Sequence, residues 1–232
     1  TGGNGLAVLM SDGSSGFSQT SSGFGEAAVQ GDFNHDGWPD LDLVVYDVHA
    51  WSAEVALGNG DGTFTRSAPY VVGYESSSID AVDVDGDGNL DLLAVSSWSS
   101  AVTVLRGRAD GSLHPPEFFL SGPSARLIAT GDFDRNGSID FVTTDWALSF
   151  VPGNGDGTFR TYRAFHTEPG APAGGVGTQT SGGIPADMNN DGNLDVVVVR
   201  PDDVGVLLGN GTGMLAAPIL TAHPVQLWNE AL

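Results

Sequence analysis

Four stretches of this chain place oxygen-bearing side chains at alternate positions of a short acidic loop. They read GDFNHDGWPDL from Gly31 to Leu41, VDVDGDGNLDL from Val82 to Leu92, GDFDRNGSIDF from Gly131 to Phe141 and ADMNNDGNLDV from Ala186 to Val196, and they align without a gap. Counted from the first aspartate, positions 1, 3, 5 and 9 are Asp32, Asn34, Asp36 and Asp40 in loop one, and Asp83, Asp85, Asp87 and Asp91 in loop two. In loop three they are Asp132, Asp134, Asn136 and Asp140, and in loop four Asp187, Asn189, Asp191 and Asp195. Alternate residues of a tight loop point inward, so this spacing gathers three or four carboxylates round one point. Their mutual repulsion calls for a hard divalent cation, and a flexible shell of six or more oxygens suits Ca2+ better than Mg2+. Position 6 is glycine in all four copies, which permits a sharp turn. The backbone carbonyl of position 7, from Trp38, Asn89, Ser138 or Asn193, is the expected additional ligand. Asp and Asn are also good turn residues in their own right, but a turn alone does not require four copies in register.

An EF-hand loop opens in the same way, and it requires a bidentate Glu at position 12. Here that position holds Leu43, Ala94, Thr143 and Val198, so all four copies fail the test. An Asp at position 9 followed at once by an apolar run is the pattern of a calcium loop inside a β-hairpin. A second motif interleaves with the first: GNGDGTF at Gly58 and Gly153, with weaker copies GRADGSL at Gly107 and GNGTGML at Gly209. Together these motifs closely resemble the FG-GAP/VCBS repeat, the integrin-α-type calcium-binding propeller repeat, over nearly the whole chain. The resemblance implies four Ca2+ sites, each between the first two strands of a blade, held by the residues named above. Loop two offers four carboxylates and each of the others three, so loop two is expected to bind most tightly.

The elements that must position these loops follow from the runs between them. After each acidic motif comes LDLVVYDV, DLLAVSS, DFVTTDW or DVVVVRP, and before each glycine-rich motif SAEVALGNG, AVTVLRG, ALSFVPG or VGVLLGN. These are short apolar and β-branched runs, the Asn-Gly and Asp-Gly pairs are tight-turn signals, and no window keeps a helical period with caps. Each period therefore reads as four strands, A to D, with the acidic loop between A and B. The first aspartates recur about every 50 residues, the period of a propeller blade. The expected fold is all-β, a β-propeller of four-stranded antiparallel blades in a single domain over residues 1–232. Its blades run approximately 1–24 (partial), 25–73, 74–122, 123–177, 178–222 and 223–232 (partial). The two partial blades either pair to close a five-blade ring or mark the chain as part of a larger propeller.

Composition narrows the function. The eight basic residues are all Arg and scattered through a chain of net charge −21, so no basic patch suits a nucleic acid. There is no Cys for a disulfide, a thiolate metal site or a nucleophile, and no apolar run approaches the roughly 20 residues of a membrane span. The chain opens Thr1-Gly2-Gly3, without a signal peptide or an initiator Met, and so is expected to be processed or excised. The five His are dispersed, and His35, at a non-ligand position of loop one, is expected to be solvated; no catalytic residues are assigned and an enzyme is not expected. Three expected B–C loops carry tryptophan, Trp51, Trp98 and Trp146, where the fourth has Arg200. These either bind a glycan or protein ligand on the face opposite the metal loops or pack between blades. The Gly- and Pro-rich segment from His166 to Pro185 is long enough to be a binding loop or a disordered insertion. The expected function is a calcium-stabilised, non-catalytic module, extracellular or on the cell surface, for adhesion, surface display or carbohydrate recognition. The alternatives are a propeller part of a polysaccharide-degrading enzyme and a structural module that self-associates through its terminal strands.

Overall fold

The computed structural model describes residues 6–11, 17–24, 27–47, 50–74, 76–96, 98–122, 125, 127–144, 148–165, 182–199, 203–216 and 219–222. Among the described residues there is no helix, and so none long and apolar enough to cross a membrane. The chain forms two compact units, Thr1–Leu120 with Gly155–Thr158, and Ser121–Asn154 with Phe159–Leu232.

In the first unit, β1 (Leu6–Ser11) and β2 (Phe17–Phe24) form an antiparallel hairpin. Blade one follows with β3 (Ala27–Gly31), β4 (Asp40–Asp47), β5 (Ala50–Gly58), β6 (Phe64–Arg66) and β7 (Tyr70–Val71). Blade two is the meander β8 (Ser76–Val82), β9 (Asp91–Ser96), β10 (Ala101–Leu105) and β11 (Glu117–Leu120). The second unit holds blade three, β12 (Leu127–Gly131), β13 (Asp140–Thr144), β14 (Leu148–Val151) and β15 (Arg163–Phe165). Blade four is β16 (Gly182–Ala186), β17 (Asp195–Val199), β18 (Asp203–Leu207) and β19 (Ile219–Ala222). In every blade consecutive strands pair antiparallel, and strand B begins at the position 9 aspartate: Gly31 pairs with Asp40, Val82 with Asp91, Gly131 with Asp140 and Ala186 with Asp195. The segment Pro224–Leu232, expected to open a further blade, and His166–Ser181 of the long D–A segment lie outside the described residues.

Blade one differs from the expected four strands. Its outer strand is split into β6 and β7, both paired with β5. Pro69 cannot donate to a ladder, and at the break Ser67 stands in for regular pairing. Its N–H donates to the Val55 carbonyl at 2.8 Å, and its Oγ accepts from the Val55 N–H at 3.0 Å.

The middle strands are apolar on both faces because both faces are covered. Leu92, Leu93, Ala94 and Val95 of β9 are fully buried, as are Val102 and Leu105 of β10. In the first unit Phe33, Ala53, Val55 and Val72 of blade one pack with Leu92, Ala94, Leu105 and Leu113 of blade two. In the second, Phe133, Val142, Leu148 and Phe150 pack with Val196, Val198 and Leu207. Each fully buried side chain of this size contributes about 1.5–3 kcal/mol relative to exposure. Phe33 and Phe133 belong to acidic loops, at position 2, so the cores also anchor the loops. The outer strands pack less: Phe118 and Leu120 of β11 stay largely exposed.

The glycine-rich C–D turns close in one register, with Gly58 opposite Phe64, Gly107 opposite Leu113, Gly153 opposite Phe159 and Gly209 opposite Leu215. The first glycine of each turn lies against the acidic loop of its own blade. A Cβ there would fall on the carbonyl oxygen of Pro39, Leu90, Ile139 or Leu194, respectively. Backbone packed on backbone cannot yield as a flexible side chain can. Gly153→Ala is therefore expected to destabilise the chain by about 1–3 kcal/mol, read as a lower midpoint in chemical denaturation with unchanged slope.

Candidate metal centre

The four acidic loops share one hydrogen-bond plan. The position 1 carboxylate lies inside the turn, accepting the position 5 amide on Oδ1 (Asp36 to Asp32, 3.1 Å; Asp87 to Asp83, 3.2 Å; Asn136 to Asp132, 2.9 Å; Asp191 to Asp187, 3.1 Å). Its Oδ2 takes the amide of Gly37, Gly88, Gly137 or Gly192 at 2.9–3.0 Å. The position 3 oxygen of Asn34, Asp85, Asp134 or Asn189 accepts the same position 5 amide at 2.9–3.2 Å, so Asp and Asn take the same place. Position 4 is left-handed in every copy, with φ between 60° and 74°, but only loop two meets this with glycine, Gly86; the others strain His35, Arg135 and Asn190.

Position 9 is the buried end of the site. Asp40, Asp91, Asp140 and Asp195 have no exposed surface. Their Oδ2 accepts the position 2 amide of Phe33, Val84, Phe133 or Met188 at 2.7–3.0 Å. Their Oδ1 accepts the amide of Gly58, Gly107, Gly153 or Gly209 at 2.7–2.8 Å. One carboxylate thus fastens the A–B loop to the C–D turn, a second task that the ligand spacing does not announce. The recurring glycine was its only sequence signal.

The structure brings positions 1, 3 and 9 together. Carboxylate oxygens of Asp83, Asp85 and Asp91 lie within 4.8 Å of one another, and so do those of Asp132, Asp134 and Asp140. In loops one and four the neutral amides of Asn34 and Asn189 replace one carboxylate of the set. Position 5 is held within the loop: Oδ1 of Asp36, Asp87, Asn136 and Asp191 accepts the position 7 amide of Trp38, Asn89, Ser138 or Asn193 at 2.7–2.8 Å, and in loops one and four Oδ2 accepts the side-chain amide of Asn34 or Asn189. This oxygen-only donor set, with amides already fixing its rear lone pairs, fits a calcium ion. Position 12 lies within strand B, where Ala94, Thr143 and Val198 are buried, consistent with the exclusion of an EF-hand.

Electrostatics separates the loops. Burial, with Asp85 and Asp83 beside it, raises the Asp91 carboxyl to about 6 against the partial offset of its two amides. Burial and Asp134 do the same for Asp140, also to about 6. Arg106 lies 4.0 Å from Asp85 and 2.7 Å from Glu117, where the other blades have Leu57, Pro152 and Leu208. The guanidinium beside Asp85 offsets part of the extra negative charge that loop two carries, and the expected ranking of the loops is for site-resolved calcium titration to test. The turn aspartates Asp61, Asp110 and Asp156 are held below the usual carboxylate range by the hydroxyls of Thr63, Ser112 and Thr158, and serve their own turns.

The remaining candidates are not ligands of these centres. His35 is exposed, yet its Nε2 lies 3.1 Å from Asn89 Oδ1 of loop two. Trp51, expected in a B–C loop, sits instead within β5, opposite Tyr46, because the pairing of β4 with β5 runs on to Asp47 and Ala50. Trp98 is 71% exposed and meets Tyr74 edge to face at 5.7 Å, a partner not foreseen from sequence. Trp146 and Arg200 lie outside the described residues.

Repeated four-stranded blades, each with an acidic loop between strands A and B, define a protein of the β-propeller class. The chain belongs to the FG-GAP-like repeat family, which matches residues 32–94, 83–143 and 132–198, each span running from one acidic loop through the next. No curated protein sequence matches it. Among solved structures it is similar to an Agrocybe aegerita lectin that specifically recognises non-reducing terminal N-acetylglucosamine. The TM-score is 0.52 at 15% identity, over 95% of this chain and 75% of that one. It is also similar to a functionally unknown protein from Desulfotomaculum acetoxidans DSM 771, with a TM-score of 0.61 at 15% identity, over 94% of this chain and 63% of that one. At these identities the likeness bears on fold alone.

Two outcomes follow for the loops. Asp91→Asn leaves one amide facing a nitrogen and is expected to cost about 1–3 kcal/mol even in chelator. Asp85→Asn, which copies loops one and four, should lower calcium affinity while leaving metal-free stability unchanged; denaturation with and without calcium separates the two. Because Asp91 and Asp140 titrate near 6 when folded and near 3.8 when unfolded, the folded state holds more protons between these values. Their contribution to metal-free stability therefore falls as pH rises through this window. Calcium competes with the same protons, so the calcium-induced rise in melting temperature should shrink as pH drops through about 6, as calorimetry at pH 5 and 7.5 would show.

Proposed function

We propose that this chain is a calcium-stabilised, non-catalytic propeller module that acts outside the cell or at its surface and recognises a glycan. The observation that carries the metal part is the clustering of Asp83, Asp85 and Asp91, and of Asp132, Asp134 and Asp140, in a plan that loops one and four repeat with Asn at position 3. These residues, with the position 7 carbonyls, would hold four Ca2+. Bound calcium supplies positive charge to the buried carboxylates; the chain itself supplies the fixed oxygens and the amides behind them. Extracellular modules bind calcium with Kd of about 10⁻⁴–10⁻³ M, and at tenfold excess each site would stabilise the fold by about 1.4 kcal/mol.

The ligand surface is proposed at the end of the sheets opposite the metal loops. There Trp98 of the B–C loop of blade two meets Tyr74 of the preceding D–A connection edge to face, both more than half exposed, with Ser99 and Ser100 following Trp98 in the chain. Exposed indole stacks on the apolar face of a sugar, and hydroxyls beside it meet the sugar's own. A lectin on a similar fold supports the ligand class.

The calcium-loaded chain on a neutral-glycan array should retain glycans without shortening them, and Trp98→Ala should abolish retention. With all four sites filled, chelation should lower the melting temperature by about 10–20 °C. A chain that binds no glycan, or that releases shortened products, would overturn the recognition reading; a melting temperature indifferent to chelation would overturn the calcium reading.

A further inference from the structure

Loop one departs from its three copies at position 7. Asn89, Ser138 and Asn193 are small and polar, whereas Trp38 places an indole there that is 51% exposed. The loop makes no use of that ring, since position 7 serves it through the backbone, its N–H donating to Asp36 at 2.8 Å. The indole instead passes over Gly60 of the C–D turn of the same blade. A Cβ on Gly60, whose φ is +77°, would lie 2.6 Å from Cε2 and 2.9 Å from Cδ2. The ring is thereby seated on the Gly60 backbone. It also borders an open, shallow cavity lined by Gln30, Gly31, Asp32, Gly37, Trp38 and Pro39.

We propose that this cavity is a carbohydrate subsite in which the apolar face of a neutral pyranose stacks on Trp38. Gln30 is exposed and offers both an amide donor and a carbonyl acceptor. Each Asp32 oxygen accepts one loop amide, from Asp36 at 3.1 Å and Gly37 at 3.0 Å; with one oxygen turned to the proposed cation, the other keeps a lone pair that can take a hydroxyl. The wall has acceptors in excess and no cationic side chain, so it favours a ligand rich in O–H donors and disfavours an anion. A cationic side chain of a peptide is the rival occupant. Asp32 is position 1 of loop one, and with calcium in that loop its charge is shared, which favours the neutral ligand. This step rests on the calcium reading; the subsite is separate from Trp98.

The test uses the whole ¹⁵N-labelled chain in calcium, whose five tryptophans give five indole N–H cross-peaks. Trp38→Asn, the residue of loops two and four, identifies its peak. Titration with methyl β-glucopyranoside, methyl β-galactopyranoside and methyl N-acetyl-β-glucosaminide should move that peak saturably, with Kd of about 1–10 mM. Gln30→Ala should weaken the effect roughly three- to tenfold and provides the measurement if Trp38→Asn fails to fold. A Trp38 peak that no glycoside moves, or that moves only with Nα-acetylarginine amide, overturns the proposal. Running the series in Trp98→Ala keeps it apart from the array result: loss of array binding with the Trp38 shift intact leaves the subsite standing, and the reverse removes it.

Discussion

A buried carboxylate bonded to two backbone amides is the interaction on which each blade depends. Asp40, Asp91, Asp140 and Asp195 hold the start of an acidic loop with one oxygen and the start of a C–D turn with the other, in four near-identical geometries. Burying that charge is unfavourable, as the raised Asp91 and Asp140 carboxyls record. Two charge-assisted hydrogen bonds offset part of the cost; a cation at the loop would offset more. The glycine at the far end has no side chain because the loop carbonyl occupies that space. Ligand spacing, turn composition and strand register are thus consequences of one local arrangement.

The same arrangement explains the composition. Thirteen of the 29 acidic residues occupy loop ligand positions, and four divalent cations would take the formal charge from −21 to −13. The acidity is concentrated where backbone amides and the proposed ions answer it. Within the loops, neutral and charged residues are interchangeable at position 3 because either oxygen accepts the same amide, while position 9 is Asp throughout, where both oxygens are needed.

Much of this was legible in the sequence because it is local. The acidic loops, the turns and the failure of the EF-hand pattern are all set by spacings under a dozen residues. The double duty of position 9 was hidden, since Gly58 lies 18 residues from Asp40 and only the fold makes them neighbours. Arg106 could not be placed beside Asp85 from spacing, nor Tyr74 beside Trp98, because each pair lies about 20 residues apart in the chain. Alternation alone did not foretell the bond that position 5 makes inside the loop, where Asp87 accepts the Asn89 amide. Trp38 read only as a carbonyl ligand, because exposure belongs to packing and not to a motif.

The broken outer strand of blade one has a bearing on colloidal behaviour. A continuous outer edge presents a row of free amides and carbonyls on which a strand from another molecule can add, the first step of edge-to-edge aggregation. Pro69 supplies no amide, and the gap between β6 and β7 divides that edge into pieces of three and two residues. Such short pieces make a poor template for a fourth or fifth neighbour in a growing stack. In a chain built of repeated sheets, where every blade carries an outermost strand, that break shortens the edge that blade one offers to a neighbour.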